Sequence, residues 1–451
     1  MDMNLPLSDA AAMLGASFAG PDAVVHRVST DSRAIQPGDL FFGLRGERFD
    51  GGAFAARALQ QGAAGVVLDR TQAPEIGDAL RVDDTRLALG RLAAAWRQRF
   101  AIPVVAITGS NGKTTVKEML AAILRAETGS DEAVLATEGN LNNDIGLPLM
   151  LLRVRPHHRF AVLEMGMNHA GEIDYLTRIA RPDVALVNNA MTAHIGLLGS
   201  VEAIARAKGE IFNGLGPGGI ALFNADDAHA ALWRDANTAR SVIDFGMQRP
   251  ARVRGSYDAT TSALAIELLD VHLDVTLQVP GVHNAMNALA AAAAAFALDV
   301  SPACIVEGLE GFSGIEGRLQ SKPALHGATF IDDTYNANPD SVRAALAVLA
   351  QYPGRKLLVL GDMGELGAGA PAMHAEIGRA ARAAGVERLF ALGELSRETV
   401  AAFGTGAMHF ERIEELLAEV ENALGADTVA LVKGSRFMQM ERVVKSFTEG
   451  H

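Results

Sequence analysis

The segment 103–119, PVVAITGSNGKTTVKEM, limits the possible folds more than any other part of this chain. An apolar, strand-like run ends at Thr108, a glycine-containing loop follows, and a helix-like stretch begins near Lys113. Glycines at 109 and 112 allow the backbone to turn tightly and to point its amides at an anion, which the positive end of the following helix also attracts. A strand, loop and helix in this order predict a phosphate-binding loop in an α/β protein.

The loop differs from the common P-loop, because Ile107 occupies the position of the first glycine in the Gly-x-x-x-x-Gly-Lys pattern. A small GTPase is therefore not expected, and no Asn-Lys-x-Asp guanine signature occurs. The alternative is a chance glycine turn with a solvated lysine, and the complete strand, loop and helix context disfavours it. We predict that Lys113 reaches the β- and γ-phosphates of a nucleotide and that Thr114 ligates magnesium. The nucleotide-binding loop would comprise Gly109, Ser110, Asn111, Gly112, Lys113, Thr114 and Thr115.

Composition narrows the class further. At 451 residues the chain exceeds one typical core, and its net charge of −13 argues against a general nucleic-acid binder. Cys304 is the only cysteine, so neither an intrachain disulfide nor a cysteine zinc cluster can form. The first ten residues do not resemble a signal peptide, and the apolar run at 288–298 is shorter than the ~18 residues of a membrane span. We expect a cytoplasmic protein without membrane insertion.

The pattern of apolar runs predicts three α/β domains. Continuous apolar runs at 104–108, 160–166, 183–189 and 219–226 indicate a mainly parallel sheet with helices on both faces. Residues 252–279 alternate polar and apolar side chains, which predicts antiparallel strands. A second strand and helix alternation begins near 317 and indicates a Rossmann-like unit. The predicted domains are 1–83, a small α/β unit; 84–316, the central P-loop-type domain; and 317–451.

Further motifs resemble those of one known family. TGSNGKTT at 108–115, ATEGNLNNDIGLP at 136–148, AKGEIF at 207–212, FIDDTYNANPDS at 330–341 and LVKGSR at 431–436 are similar to motifs of the Mur ligases. These enzymes are ATP-dependent amide ligases that build the peptide stem of the bacterial cell wall. The resemblance spans residues 29 to about 445, which is nearly the whole chain.

The resemblance implies a site for ATP and two magnesium ions. Glu164 ends an apolar strand and, with Thr114, would hold one ion, while His194 would hold the second. Lys208 would be carbamylated, which turns a cation into an anion beside the metal. Lys113, Lys208, His194 and Arg318 would form the catalytic set, with Arg318 near the γ-phosphate and Asp332 or Asp333 near the ribose.

The adenine end of the site is expected at the start of the alanine-rich helix. Asn284 and Asn287 are three residues apart, so both amides share a helix face and could contact a planar base. Helix capping by Asn284 is the alternative, and it would explain only one of the two. One departure from the family concerns the loop after His194, where Gly196 stands at a position that is acidic in many relatives.

The resemblance also assigns the substrates. Segment 29–54 is similar to a uridine-diphosphate-binding domain, and the Asp-Asn-Pro-Arg motif of diaminopimelate-adding relatives is absent. The NANP, GDMGELG (361–367) and KGSR strings are similar to the member that adds D-alanyl-D-alanine to UDP-N-acetylmuramoyl-tripeptide, and a monomer is expected. The implied substrate-binding residues are Ser32, Arg45, Gly46, Asp50, Asn140, Asn142, Asn143, Asn336, Asn338, Lys433, Ser435 and Arg436.

Two alternatives stay open on sequence grounds. A sibling amide ligase, such as a folylpolyglutamate synthase or another Mur enzyme, would share the ATP residues but differ in its N-terminal domain. A nucleotide-gated binding module would bind ATP without releasing phosphate, which the intact lysine and metal positions disfavour.

Overall fold

The computed structural model describes residues 2–18, 20–46, 49–268 and 270–448. The N-terminal part contains a four-stranded parallel sheet, in the order β3-β4-β7-β8, within its described residues. Its elements are β1 (Leu5–Pro6), α1 (Leu7–Leu14), β2 (Val24–Val25), β3 (Arg27–Ser29), β4 (Asp39–Phe42), β5 (Arg45–Gly46), β6 (Phe49–Asp50), α2 (Ala55–Gln60), β7 (Gly65–Asp69) and β8 (Leu80–Val82).

The central part is built on one large sheet. Its described strands follow the order β10-β11-β9-β12-β13-β14-β15-β16-β17, with parallel pairing up to β15 and antiparallel pairing between β15, β16 and β17. The elements are α3 (Thr85–Arg97), β9 (Val104–Thr108), α4 (Lys113–Thr128), β10 (Val134–Ala136), α5 (Gly146–Leu151), β11 (Phe160–Glu164), α6 (Glu172–Ala180), β12 (Val184–Val187), α7 (Ile195–Leu198), α8 (Val201–Gly209), β13 (Ile220–Asn224), α9 (Ala230–Ala236), β14 (Ser241–Gly246), β15 (Val253–Asp258), β16 (Ala263–Leu268), β17 (Val271–Thr276), α10 (Val282–Phe296) and α11 (Pro302–Glu310).

The C-terminal part carries a second, smaller sheet in the order β18-β19-β23-β20-β21-β22 among its described strands, parallel except at β18. Its elements are β18 (Gln320–Pro323), β19 (Thr329–Asp333), α12 (Pro339–Gln351), β20 (Arg355–Gly361), α13 (Ala370–Ala383), β21 (Arg388–Leu392), α14 (Ser396–Phe403), β22 (Ala407–Phe410), α15 (Ile413–Ala423), β23 (Thr428–Lys433) and α16 (Glu441–Thr448).

The alternation of side chains along β9 explains why helices cover both faces of the central sheet. Val104 and Ala106 pack into a core with α3, α5 and α6, whereas Val105 and Ile107 pack into a core with α4, α10 and α11. Because successive strand residues point to opposite faces, an unbroken apolar strand needs two apolar layers.

Several predictions from the sequence are confirmed here. The apolar runs are strands of parallel sheets, segment 252–279 forms antiparallel strands, and the alanine-rich run lies buried in α10. No helix in the described ranges combines the length and apolar character that a membrane crossing requires. The three-part α/β architecture agrees with the predicted fold class, while the domain limits at 83 and 316 stay predictions.

The contact between α11 and α4 generates a stability prediction. A Cβ at Gly308 would lie within 3.0 Å of backbone atoms of Ala122 and Ile123. Gly308→Ala should therefore lower the thermal unfolding midpoint, because overpacking costs about 1–3 kcal/mol and outweighs the ~1 kcal/mol gain in helix propensity. The matched control is Gly77→Ala, where a Cβ meets nothing within 4 Å. Equal midpoints for the two variants would contradict the packing argument.

Candidate active site

The carboxyl ends of β9, β11 and β12 open into a cleft of about 1590 Å³ between the central and C-terminal parts. The predicted residues that line it are Ser110, Asn111, Gly112, Lys113, Thr114, Thr115, Asn140, Asn142, Asn143, Glu164, His194, Lys208, Asn284, Asn287, Arg318, Asn336, Asn338, Lys433, Ser435 and Arg436. Adjacent parallel strands end side by side, so residues that follow them in sequence meet at one edge of the sheet.

Asparagines from neighbouring elements hold the phosphate loop from behind. The Ser110 amide donates to the Asn189 carbonyl (3.0 Å), and the Asn111 amide donates to Asn189 Oδ1 (2.9 Å). Asn188 Nδ2 donates to the Asn111 carbonyl (3.0 Å) and to Asn287 Oδ1 (2.9 Å). Gly112 has φ +79°, and a Cβ there would lie less than 3.0 Å from the Asn287 and Asn188 amide groups. Glycine is therefore required for this close approach.

Lys113 lies folded over its own loop. Its Nζ donates to the Gly109 carbonyl at 2.7 Å. Burial lowers the pKa of Lys113 below its ordinary value, the Glu164 carboxylate acts in the opposite direction, and the Arg318 charge lowers the pKa further. An anion bound at this loop would stabilise the charged form of Lys113 and would itself be stabilised by that charge.

Glu164 is the centre of a hydrogen-bond cluster at the end of β11. It is 3% exposed, accepts from Thr114 Oγ1 at 2.8 Å through one oxygen, and accepts from Asn142 Nδ2 at 2.8 Å through the other. Arg318 Nη2 donates to Thr114 Oγ1 at 2.9 Å, and its guanidinium lies 4.1 Å from the centre of the Tyr335 ring. The predicted metal, phosphate and substrate residues therefore meet here.

Lys208 is buried in the wall of the same cleft. It is 2% exposed, and burial together with the charge of Lys113 lowers its pKa well below the ordinary value. No ion pair with a carboxylate was found for it in the described part of the chain. Burial shifts the lysine toward its neutral amine form, which is the form that reacts as a nucleophile.

The donor set around Glu164 fits magnesium better than a transition metal. No group of three or more His, Cys, Asp or Glu side chains that could hold a metal occurs among the described residues. Magnesium, by contrast, is usually held by one or two carboxylates together with substrate phosphates and water. Glu164 and the Thr114 hydroxyl supply hard oxygen ligands beside the phosphate loop, as that mode requires.

Several contacts join the C-terminal part to the edges of the cleft. Asn338 Nδ2 donates to Asn111 Oδ1 (2.7 Å), and the Thr192 amide donates to Asp340 Oδ2 (2.9 Å). His194 Nδ1 lies 2.6 Å from Glu365 Oε2, and this contact lowers the pKa of Glu365 despite partial burial.

The KGSR segment, residues 433–436, is tied to the NANP segment. Lys433 Nζ lies 2.5 Å from Asp333 Oδ2 and donates to the Asn336 carbonyl at 2.8 Å. Ser435 Oγ donates to the Ala337 carbonyl at 3.0 Å. Arg436 pairs with Glu441 at 3.0 Å, and its side chain is 64% exposed, so its guanidinium can exchange partners readily.

The comparisons with known proteins agree with this arrangement. The chain matches the Mur ligase family, catalytic domain over residues 24–97, the Mur ligase middle domain over 107–295 and the Mur ligase, glutamate ligase domain over 317–436. It is 40% identical, with 99% of both chains covered, to the Escherichia coli (strain K12) protein named UDP-N-acetylmuramoyl-tripeptide--D-alanyl-D-alanine ligase. The chain belongs to the Mur ligase family.

Two solved structures of similar proteins match over nearly the full length. MurF from Acinetobacter baumannii matches with a TM-score of 0.91 and 37% identity, and 98% of each chain is covered. MurF ligase from Thermotoga maritima, in complex with ADP, matches with a TM-score of 0.82 and 26% identity over 93% of this chain and 96% of that chain. The predicted family and fold class are thereby confirmed.

Some predicted residues of this Mur ligase have other partners than expected. Asp332 is buried away from the cleft, where it accepts from Lys322 Nζ (2.8 Å) and from Thr334, whereas Asp333 lines the cleft. Asn284 Nδ2 donates to the Pro280 carbonyl at 2.8 Å, and Asn143 Oδ1 accepts from the Gly146 amide at 2.8 Å. The amides of Asn284 and Asn143 thus bind the backbone near the starts of α10 and α5.

The predicted uridine-side residues lie apart from the lining of this cleft, in the N-terminal part: Ser32, Arg45, Gly46 and Asp50. Arg45 is within 3.2 Å of Asp50 and 3.0 Å of Asp69. Asp50 Oδ1 also accepts from the Gly52 amide at 2.9 Å. The Arg45 guanidinium is thus held by two carboxylates at an exposed hairpin of the N-terminal part.

Sequence reasoning missed the supporting residues Asn188, Asn189, Tyr335, Asp340 and Glu365. Asn188 and Asn189 end the run 183–189 and directly follow the strand Val184–Val187, and polar residues at that point of a parallel strand were the available signal. Asp340 and Glu365 act across the junction with the C-terminal part, which local sequence patterns do not reveal.

Asn338 combines two functions that substitution can separate. Its Oδ1 caps α12 by accepting from the Ser341 amide at 2.9 Å, and its Nδ2 donates to Asn111 across the junction. Asn338→Ser should keep the cap and the thermal midpoint, whereas Asn338→Ala should lose about 0.5–2 kcal/mol. Both variants should expand in small-angle X-ray scattering, because both lack the amide Nδ2 that reaches Asn111 Oδ1. If Asn338→Ser stays as compact as the wild type, the amide does not hold the junction.

Proposed function

We propose that this Mur ligase joins D-alanyl-D-alanine to UDP-N-acetylmuramoyl-tripeptide at the expense of ATP, in the cytoplasm and as a monomer. The reaction would complete the UDP-muramoyl-pentapeptide for peptidoglycan synthesis. The observation that carries the proposal is the convergence of the phosphate loop, the Glu164 cluster and the KGSR and NANP segments on one cleft. The name of the Escherichia coli relative supports the choice of substrates.

The phosphates of ATP would lie on the loop 109–115, with Lys113 and Arg318 opposing their charge. Thr114 and Glu164 would hold one magnesium ion, and His194 with Lys208 would complete the second site. Bound magnesium would neutralise phosphate charge and orient the γ-phosphoryl group for transfer. Asn284 and Asn287 would contact the adenine base. Asp333 rather than Asp332 would accept from the ribose, because of these two aspartates only Asp333 lines the cleft.

The free carboxylate of the tripeptide is a poor electrophile, so it would first be activated by phosphorylation. An oxygen of the tripeptide carboxylate attacks the γ-phosphorus, the bond to ADP breaks, and an acyl phosphate forms. The dipeptide amine then attacks the acyl carbon, loses a proton, and expels inorganic phosphate. The residues of this chain would contribute orientation and charge neutralisation, since the reaction needs no covalent enzyme intermediate.

The two substrates would approach from opposite sides. The N-terminal residues Ser32, Arg45, Gly46 and Asp50 would take the UDP end, and Asn140, Asn142 and Asn143 the peptide. The amino substrate would lie against Asn336, Asn338, Lys433, Ser435 and Arg436. Arg436 would exchange Glu441 for the dipeptide carboxylate, a charge-assisted contact of about 1.5–3 kcal/mol.

Lys208 would act as a carbamate. Carbon dioxide reacts with a neutral amine, and burial beside Lys113 favours that form of Lys208. The resulting anion would offset the charge of Lys113 and provide oxygen ligands in this wall of the cleft. This role fits a buried lysine for which the described residues offer no carboxylate within ion-pair distance.

Phosphate release tests the proposed function. With UDP-N-acetylmuramoyl-tripeptide and ATP, adding D-alanyl-D-alanine should start phosphate release, and meso-diaminopimelate at equal concentration should not. Release driven by diaminopimelate with a UDP-muramoyl-dipeptide acceptor would identify the sibling ligase instead. ATP binding without substrate-dependent release would indicate a binding module.

Two lysine variants control this assay. Lys113→Ala should abolish release and leave the thermal midpoint nearly unchanged, because among the described residues the Lys113 side chain donates a hydrogen bond to its own loop backbone alone. Lys445→Ala, at an exposed position on α16, should behave as the wild type. Near-normal phosphate release by Lys113→Ala would contradict the assignment of 109–115 as the phosphate-binding loop.

The carbamate has its own test. Lys208→Ala should be nearly inactive and partly rescued by a small carboxylic acid such as acetate, which can occupy the vacated anion position. The wild type incubated with ¹³C-bicarbonate should show a carbamate signal in the ¹³C NMR spectrum, and the Lys208→Ala variant should lack it. A wild-type spectrum without this signal under turnover conditions contradicts the assignment.

A further inference from the structure

The GDMGELG segment, residues 361–367, forms a turn that its own domain holds firmly. The Gly364 amide donates to Ser435 Oγ (2.8 Å), the Ser435 amide donates to the Asp362 carbonyl (3.0 Å), and the Met363 amide donates to His374 Nε2 (3.0 Å). Glu365 leaves this turn with φ +62°. A non-glycine residue in the left-handed region is strained, and such strain persists where the surroundings fix it.

Glu365 contacts the central part at two points. Its carbonyl accepts from the Gly196 amide at 2.9 Å, and its carboxylate Oε2 lies 2.6 Å from His194 Nδ1. His194 also has a left-handed backbone, with φ +64°, and precedes α7. One residue of the C-terminal part is thereby held against both the backbone and the side chain of the loop 194–196.

Gly196 makes this close approach possible. A Cβ at that position would lie 2.8 Å from the Glu365 carbonyl oxygen and still closer to the Gly367 backbone nitrogen. Backbone atoms of a fixed turn cannot move aside as a flexible side chain could. The docked arrangement therefore requires glycine at 196.

The Glu365 carboxylate restricts what His194 can do. His194 lines the cleft, and its Nδ1 lies against the Glu365 carboxylate, which leaves Nε2 as the ring nitrogen away from that carboxylate. A carboxylate on one nitrogen of a metal-binding histidine fixes the ring orientation and increases the basicity of the other nitrogen. This carboxylate is present only when the C-terminal part is docked.

We propose that Glu365 is a positioning residue that couples docking of the C-terminal domain to the orientation of His194. The inference rests on the proposed function, in which His194 serves magnesium in the cleft. Docking through Gly196 brings the carboxylate to Nδ1, and the oriented ring then completes the site. An undocked C-terminal domain leaves His194 without this support, so the metal site is complete only in the docked enzyme.

The first arm of the test concerns docking. In the presence of a non-hydrolysable ATP analogue and UDP-muramoyl-tripeptide, Gly196→Ala should have a larger radius of gyration than the wild type by small-angle X-ray scattering. The matched control is Gly216→Ala, also in the central part, where a Cβ meets nothing within 4 Å. Equal radii for both variants would refute the docking contact.

The second arm concerns His194. Glu365→Gln keeps the backbone carbonyl and should dock normally, but it should weaken magnesium binding about 10-fold, measured by titration calorimetry with the ATP analogue bound. Glu398→Gln, an exposed glutamate on α14, should leave this affinity unchanged. A Glu365→Gln affinity equal to that of Glu398→Gln overturns the positioning role.

The two proposals fail in different ways. If the wild type releases phosphate with tripeptide and D-alanyl-D-alanine while Glu365→Gln keeps wild-type magnesium affinity, only the coupling through Glu365 is wrong. If the wild type itself releases no phosphate with these substrates, the proposed function is wrong. The dependence of kcat on magnesium concentration adds a further readout. The kcat of Glu365→Gln should be reduced at limiting magnesium and should return to the wild-type value at excess magnesium.

Discussion

The order β11-β9-β12 in the central sheet is the constraint on which the site depends. Parallel register pairs Glu164 with Ile107 and Val187 with Thr108, so three strands end at the same level. Neighbouring strands are about 4.8 Å apart. The phosphate loop after β9 is thus flanked by Glu164 on one side and by Asn188 and Asn189 on the other. The loop conformation, the carboxylate cluster and the supporting amides all follow from this one arrangement.

The charges beside the phosphate loop indicate what the loop can bind. Lys113 and Arg318 lie near the buried carboxylate of Glu164, in a chain whose net charge is −13. Burial and the Arg318 charge lower the pKa of Lys113, and the Glu164 carboxylate acts in the opposite direction. An anionic ligand at the loop would supply a further partner for Lys113 and raise its pKa. Two cations beside a phosphate-binding loop, in a chain that is acidic overall, therefore favour phosphate-bearing small molecules over nucleic acid.

The extent to which the sequence predicts this structure depends on how far apart the determinants lie. Thr108 to Lys113 could be interpreted locally, because an apolar strand, glycines and a helix start leave few alternatives. Asn188 supports the loop only because β12 lies beside β9, and strand order is not a local property. The adjacent residues Asp332 and Asp333 show the same limit, since alternation along β19 turns them to opposite sides but does not say which one faces the cleft.

The junction between the central and C-terminal parts combines small polar contacts with packing of Ile195 against the C-terminal core, and the polar contacts bear on its dynamics. Asn111 meets Asn338, Thr114 meets Arg318, Thr192 meets Asp340 and Gly196 meets Glu365. A hydrogen bond contributes about 0.5–1.5 kcal/mol net, so the set is worth only a few kcal/mol together. Interfaces of this kind within a chain permit domain movement. Each contact also involves a segment of the nucleotide or metal site, so a ligand that orders those segments stabilises the docked state, and release of the product weakens it.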